Sequence, residues 1–387
     1  MISKLRLKEL LLELVQIDSH SRKERKIALH LKQLLEELGA VVTLDDAGEA
    51  VAGDVGNLIA HFTGTVGGSE PLLLSAHMDT VAPGEGVVPV VDGDVIRSDG
   101  RTVLGGDDKS GIAIILEVLR SVAEDGVSRG DIDVVFTICE EVGLLGAKFL
   151  DLSQLRATTG LVLDSDSIGF LITKAPAVNR LELVVHGLEA HAGICPEKGI
   201  SALEVAAQGI TAMTLGRIDD DTTANLGLVS GGTAVNIIPN RVHLIGEVRS
   251  HDEEKLERQT SHMLECMHDA ASQHSLVAND TIRTAHIDAN VRREYERMDL
   301  PEDTPIVQQV RAAARQLGMK LDTVPKGGGC DANVFNHRGL AVANLASGMR
   351  DIHTVHEWLD LNDLVTAATI IAEVVRARGE LTAETVR

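Results

Sequence analysis

Apolar residues recur at helical spacing through residues 5–17 and 23–38, which predicts two amphipathic helices. Ser19 or Ser21 stands where the second needs a cap, and Gly39 where it would stop. The pattern then changes to short apolar runs of strand length at 57–62, 72–76, 131–139 and 161–164. Helical patterns fall between them at 111–122 and 144–150. Towards the C-terminus a helix is expected over 306–317, a strand over 340–345 and a helix over 361–378. Such alternation predicts an α/β domain, a mainly parallel sheet with helices on both faces.

From about residue 176 the strands become half polar. Leu181 and Leu183 alternate with Arg180 and Glu182 along 178–186, and further strands are expected at 226–230, 241–249 and 281–293. Helices are expected over 201–215 and 252–274. Half-polar strands imply a sheet with one open face. The chain therefore divides into a first domain, 1–175 with 299–387, and an α+β domain inserted at 176–298.

Four of the apolar runs lead into acids and histidines. Residues 71–76 run into His77-Met78-Asp79, 131–139 into Glu140-Glu141, and 160–163 into Asp164-Ser165-Asp166; 341–345 leads through a short loop to His353-Thr354-Val355-His356-Glu357. Open α/β sheets carry their sites at the carboxyl ends of their strands, so these residues are expected at one rim. Gly105-Gly106-Asp107-Asp108-Lys109 opens the 111–122 helix. Its aspartates read equally as helix caps or as metal ligands brought close by the glycines. Adjacent carboxylates at the end of a buried strand repel one another, and a cation relieves that. Imidazole and carboxylate donors without thiolate suit zinc, manganese or cobalt with open positions for chemistry.

Composition narrows the function class. Lys+Arg is 36 against Asp+Glu 58, a formal net charge of −22, and aromatics are 2% of 387 residues. That argues against nucleic-acid or anionic-membrane partners. Cys139, Cys195, Cys266 and Cys330 form no CxxC pair, and the first residues are interrupted by Lys4, Arg6, Lys8 and Glu9. A reducing, cytoplasmic setting without a signal peptide or membrane span is the expectation.

Taken in order, these motifs resemble the co-catalytic metallopeptidase family of peptidase T, carboxypeptidase G, the aminoacylases and succinyl-diaminopimelate desuccinylase. The resemblance runs through nearly the whole chain. It includes Ala190-His191-Ala192-Gly193, Pro196-Glu197-Lys198-Gly199, the stretch from Gly231 through Asn236 to Pro239 with Arg249, and Gly327-Gly328-Gly329-Cys330-Asp331-Ala332-Asn333. It implies two divalent metal ions, zinc first, with cobalt or manganese as alternatives. Asp107 would bridge them, His77 and Asp164 completing one site and Glu141 and His353 the other. Glu140 would be the general base acting on a metal-bridging hydroxide, Asp79 the residue orienting His77, and His356 a residue behind the site.

The inserted domain would be a lid through which the chain forms a homodimer. His191 would stabilise the oxyanion, and Asn236 and Arg249 would hold the substrate carboxylate. The Gly-Gly-Asp-Asp-Lys and His-x-x-His-Glu forms are most similar to peptidase T, which implies an exopeptidase acting on the N-terminal bond of short peptides. Amidohydrolases of N-acyl or N-carbamoyl amino acids are the alternative within the family. A non-catalytic peptide-binding protein on this scaffold would have lost Glu140. Arg101 and Gly106 depart from the family pattern, which commonly has a small polar residue and alanine there.

Overall fold

A computed structural model of the chain describes residues 1–166, 168–278 and 281–385. The chain forms two compact units, Met1–Lys174 with Met298–Arg387, and Ala175–Arg297.

The first unit is built on a nine-stranded sheet. Its order is Val41–Leu44, Leu58–Phe62, Ile132–Thr137, Leu72–His77, Thr159–Val162, Ala341–Leu345, Phe170–Ala175 and Met298–Asp299, with Asp322–Pro325 also paired to Phe170–Ala175. The strands from Ile132–Thr137 to Ala341–Leu345 are mutually parallel. Their flanks are antiparallel, so the sheet is mixed, and the mainly parallel expectation holds for its centre. Alternating strand and helix patterns report crossovers, but strand direction at an edge leaves no mark in the pattern.

Every residue of Leu72–His77 and Ile132–Thr137 is buried, as strands covered by helices on both faces must be. Helix Gly106–Glu124 lies almost wholly in the interior, packed on the Leu72–His77 strand and on helices Lys4–Val15 and Leu361–Thr385. A helix apolar on all sides belongs in such a place. Helix Arg25–Glu37 starts later than expected, after Glu24, without a side-chain cap. The Ser21 hydroxyl is used elsewhere, donating to Asp79 Oδ2 at 2.6 Å.

A small antiparallel sheet joins Met349–Arg350, Trp358–Asp360, Val95–Ser98 and Pro89–Asp92. Its first two strands clamp the ends of loop 351–357, which carries His353 and Glu357. The Arg350 guanidinium stacks on the Trp358 ring 4.6 Å from its centroid, closing that clamp.

The second unit is a five-stranded antiparallel sheet in the order Gly216–Arg217, Thr222–Gly231, Arg241–Ser250, Ala177–His186 and His286–Tyr295. Helices Ala202–Ala212 and Glu253–Ser272 cover one face over a core that includes Leu181, Leu183, Val242, Leu244 and Met263. The expected strand 281–293 is two strands, Thr281–Thr284 and His286–Tyr295, divided at the buried Ala285. The first pairs with Ser275–Ala278 as a separate hairpin and the second joins the main sheet. Residues 279 and 280 lie outside the described residues.

Candidate metal centre

The four parallel strands deliver their acids and histidines to one rim. His77 is the last residue of its strand, and its ring is 2% exposed. Its Nε2 lies 3.0 Å from Asp107 Oδ1, and its Nδ1 lies 2.9 Å from the Asp79 carbonyl oxygen. The Asp79 carboxylate stands farther off, at 3.5 Å. That carboxylate instead receives the backbone N–H groups of Glu140 at 2.9 Å and Glu141 at 3.2 Å. Asp79 thus orients His77 mainly through its backbone, and its side chain fixes the turn carrying both glutamates.

The two aspartates of the glycine loop divide the roles left open by the sequence. Both lie in non-helical backbone before the regular part of the helix. Asp108 does the capping: Oδ1 accepts the Gly111 N–H at 3.1 Å, and Oδ2 accepts the His77 N–H at 3.3 Å. Asp107 turns to the histidines, with Oδ2 3.2 Å from His353 Nε2. Glu357, named in the sequence only as part of a motif, holds this loop. Its two carboxylate oxygens accept the N–H groups of Gly105 at 2.8 Å and Asp107 at 2.9 Å. A Cβ on Gly106 would come within 2.8 Å of Leu359 Cδ1 and 3.0 Å of Glu357 Oε1, which explains why glycine stands there. Arg101, the other departure, only pairs with Asp99 at the surface.

The Glu140-Glu141 pair is split by the backbone. Cys139, just before it, has φ +53°, an uncommon conformation for a residue with a side chain. Glu141 then reaches His353, Oε1 to Nε2 3.0 Å. His353 itself sits at φ +62°. Backbone held in this region at a site is strain that the surrounding structure must support. Asp164 is tethered by Asn344, whose amide oxygen takes its N–H at 3.0 Å and whose amide N–H₂ donates to its carbonyl at 2.6 Å.

One ligand atom each from His77, Asp107 and Asp164 lies within 4.8 Å of the others, and the same holds for Asp107, Glu141 and His353, and for His77, Glu140 and Glu141. Two groups able to hold a metal therefore meet at Asp107, with Glu140 alongside.

The electrostatics fit such a cation. Burial, followed by the charge of Asp107, pushes Asp164 well above the carboxylate range. Burial also raises Glu140 well above it and raises Glu141, despite nearby histidines. Asp107 is the exception: burial would raise it, but hydrogen bonds from His353 and His77 hold it below its ordinary value. Burial disfavours a charged His77, yet Asp107 and Asp79 raise it well above its usual value. Hydrogen bonds to Asp107 and then Glu141 push His353 up to about 10. Glu140, Glu141 and Asp164, shifted towards their protonated forms, and two imidazoles shifted towards their charged ones gather where metal charge would serve, and the hard oxygen and imidazole donors suit divalent ions.

His356 is exposed, with its backbone N–H on Thr354 Oγ1. Cys330 is buried, its Sγ accepting from Asn344 at 3.2 Å. Its neighbour Asp331 accepts the Thr137 hydroxyl at 2.5 Å and is pushed up to about 6 by burial. Cys139 is a core residue whose N–H donates to buried Glu24 at 3.0 Å.

In the second unit, the loops of His191 and Asn236 are paired: Ala192 N–H donates to the Asn236 carbonyl at 2.9 Å, and His191 bridges to Ile237. Arg249 is not with them. It lies near the far end of strand Arg241–Ser250, about 27 Å along from Arg241, whose partner His186 adjoins the His191 loop. Its guanidinium forks onto Glu247 at 2.7 and 3.0 Å and reaches the Tyr295 hydroxyl at 3.3 Å.

Comparison with known proteins follows the same outline. The model of peptidase family M20/M25/M40 matches residues 73–377. The uncharacterized protein YqjE of Bacillus subtilis strain 168 is 38% identical over 97% of this chain and 99% of its own. The structure of an aminopeptidase PepT from Bacillus cereus superposes with a TM-score of 0.85 at 36% identity, over 97% of this chain and 99% of that one. A tripeptidase from Staphylococcus aureus does so with a TM-score of 0.90 at 34% identity, over 98% and 100%.

Proposed function

Since the chain belongs to peptidase family M20/M25/M40 and is a peptidase T-like hydrolase of that metallopeptidase class, we propose that it removes the N-terminal residue of short peptides, tripeptides foremost. The meeting of two ligand groups at Asp107, with Glu140 beside them, carries this reading. The similarity to an aminopeptidase and a tripeptidase along nearly the whole chain supports the substrate class.

In this reading the rim would hold two divalent ions, zinc before cobalt or manganese, with Asp107 common to both ligand groups. His77 and Asp164 would hold one of them, and Glu141 and His353 the other. Such ions supply acidity to water and polarise a carbonyl when bound. Glu140 takes the proton of the attacking water and returns it to the leaving amine; burial raises its pKa, which suits a group that must hold that proton in between. Asp79 keeps Glu140 and His77 in register through the bonds described.

Arg249 binds the substrate carboxylate, exchanging Glu247 for it, and His191 and Asn236 contact the reacting carbonyl and the carboxylate. The distance between Arg249 and the other two within one inserted unit supports a homodimer, with His191 and Asn236 serving the partner's site. The cysteines are all unpaired, which accords with a cytoplasmic enzyme. No helix among the described residues is long and apolar enough to cross a membrane.

The zinc-loaded protein should convert Ala-Ala-Ala to Ala and Ala-Ala, and leave N-acetyl and N-carbamoyl amino acids intact. Hydrolysis of the N-acyl compounds alone would replace the aminopeptidase reading with an amidohydrolase one. Sedimentation of the active protein tests the dimer, since a fully active monomer excludes His191 acting on a partner.

A further inference from the structure

A second gathering of metal-ligand side chains lies wholly within the inserted unit. His186 ends strand Ala177–His186 and stands directly opposite His286, the first residue of the edge strand His286–Tyr295. Asp288 follows two residues later, on the same face of that strand. The two imidazoles are stacked, centroids 4.5 Å apart and planes 5° from parallel. His186 Nε2 lies 2.8 Å from Asp288 Oδ2. One ligand atom from each of the three residues lies within 4.8 Å of the others.

We propose that His186, His286 and Asp288 form an additional binding site for a borderline divalent cation of the zinc, nickel or copper class. The donor set excludes magnesium and calcium, which demand oxygen ligands throughout. Two imidazoles and one carboxylate supply three ligands, which leaves zinc a fourth position for water. The register of the strands sets the pair of histidines, since side chains facing each other across an antiparallel pair stand about 5 Å apart at Cβ. The contact between His186 and Asp288 already aims one imidazole nitrogen at the carboxylate, so both groups can turn to one cation. The ion ties the edge strand to its neighbour, so it belongs to the architecture of the inserted unit and not to hydrolysis.

The test is a difference between proteins, so it holds whatever the catalytic rim binds. Wild type, His286→Ala and Asp288→Asn are dialysed to equilibrium against a series of buffered zinc concentrations, and zinc per chain is measured by mass spectrometry. Wild type should take up one ion more than either variant, or bind that last ion at least about tenfold more tightly, the lower bound set by loss of even an indirect partner of a ligand. Far-ultraviolet circular dichroism and unchanged peptide hydrolysis establish that the variants are folded. Asp288→Asn keeps the side chain's shape should His286→Ala disturb the edge. Identical zinc stoichiometry and affinity in all three proteins would overturn the proposal.

Discussion

The rim of the nine-stranded sheet and the histidine pair of the inserted unit use the same donors, imidazole and carboxylate, in opposite surroundings. At the rim, His77, Asp107 and Glu140 are buried and their loops are held by backbone N–H groups bonded to Asp79, Asp108 and Glu357. In the inserted unit, His286 and Asp288 are exposed, and their side chains are set by strand register and by their contacts with His186. Burial makes uncompensated carboxylates costly, so the rim calls for a cation to be complete, whereas solvent screens the exposed group. What separates a reactive centre from a plain ligand cluster is the second layer of hydrogen bonds.

Asp107→Asn should produce the largest effect. It removes the carboxylate common to both ligand groups, and peptide hydrolysis should fall below detection with loss of bound metal, measured as metal per chain alongside turnover. Asp288→Asn, the matching change in the inserted unit, should leave turnover as it was. Equal activity loss from the two would erase the contrast. Glu140→Gln comes next: kcat should drop by about 10²–10⁴-fold while metal content stays at the wild-type level. Full turnover in that variant would remove Glu140 from the proton transfer. Glu357→Gln retains the shape but offers one good acceptor where two N–H groups need one each; metal affinity should weaken by about 10–100-fold, read by competition with a chromogenic chelator.

The smallest effect concerns stability. Burial, and after it the charge of Asp79, pushes Glu24 from 4.5 to about 7. A folded-state pKa above the unfolded one means the native state holds the proton more tightly. Its stability contribution is therefore fully present below about pH 4.5, is lost as pH rises towards 7, and is level above that. Relative to Glu24→Gln, wild type should lose on the order of 3 kcal/mol across that window. Urea unfolding of both proteins at pH 5 and pH 7.5 reads the difference, and parallel pH curves would show that Glu24 ionises freely.

Much of this contrast is legible in the residue pattern, because apolar runs that stop at acids and histidines mark strand ends and parallel strands end on one rim. His77, Glu140, Glu141, Asp164 and His353 could be gathered at one rim for that reason, whereas the choice of ligands among them, and Asp107 with them, comes from the family resemblance. The bracing could not. The Asp79 side chain looks from its spacing like a partner of His77, but the structure turns it towards the Glu140 and Glu141 N–H groups. Glu357 acts on backbone far away in the chain, a contact that periodicity does not encode. The small sheet that frames loop 351–357 has strands too short for any pattern to emerge. The division at Ala285 was hidden because both strands around it carry similar residues.

The hydrogen bonds from Gly105 and Asp107 to Glu357 span 252 and 250 residues of sequence. A ribosome making about 5–20 residues per second needs on the order of ten to fifty seconds to cover that interval. Throughout it, the glycine loop exists without the carboxylate that shapes it. The loop that carries Asp107 is thus made early and braced late, only once the last part of the chain brings Glu357 to it.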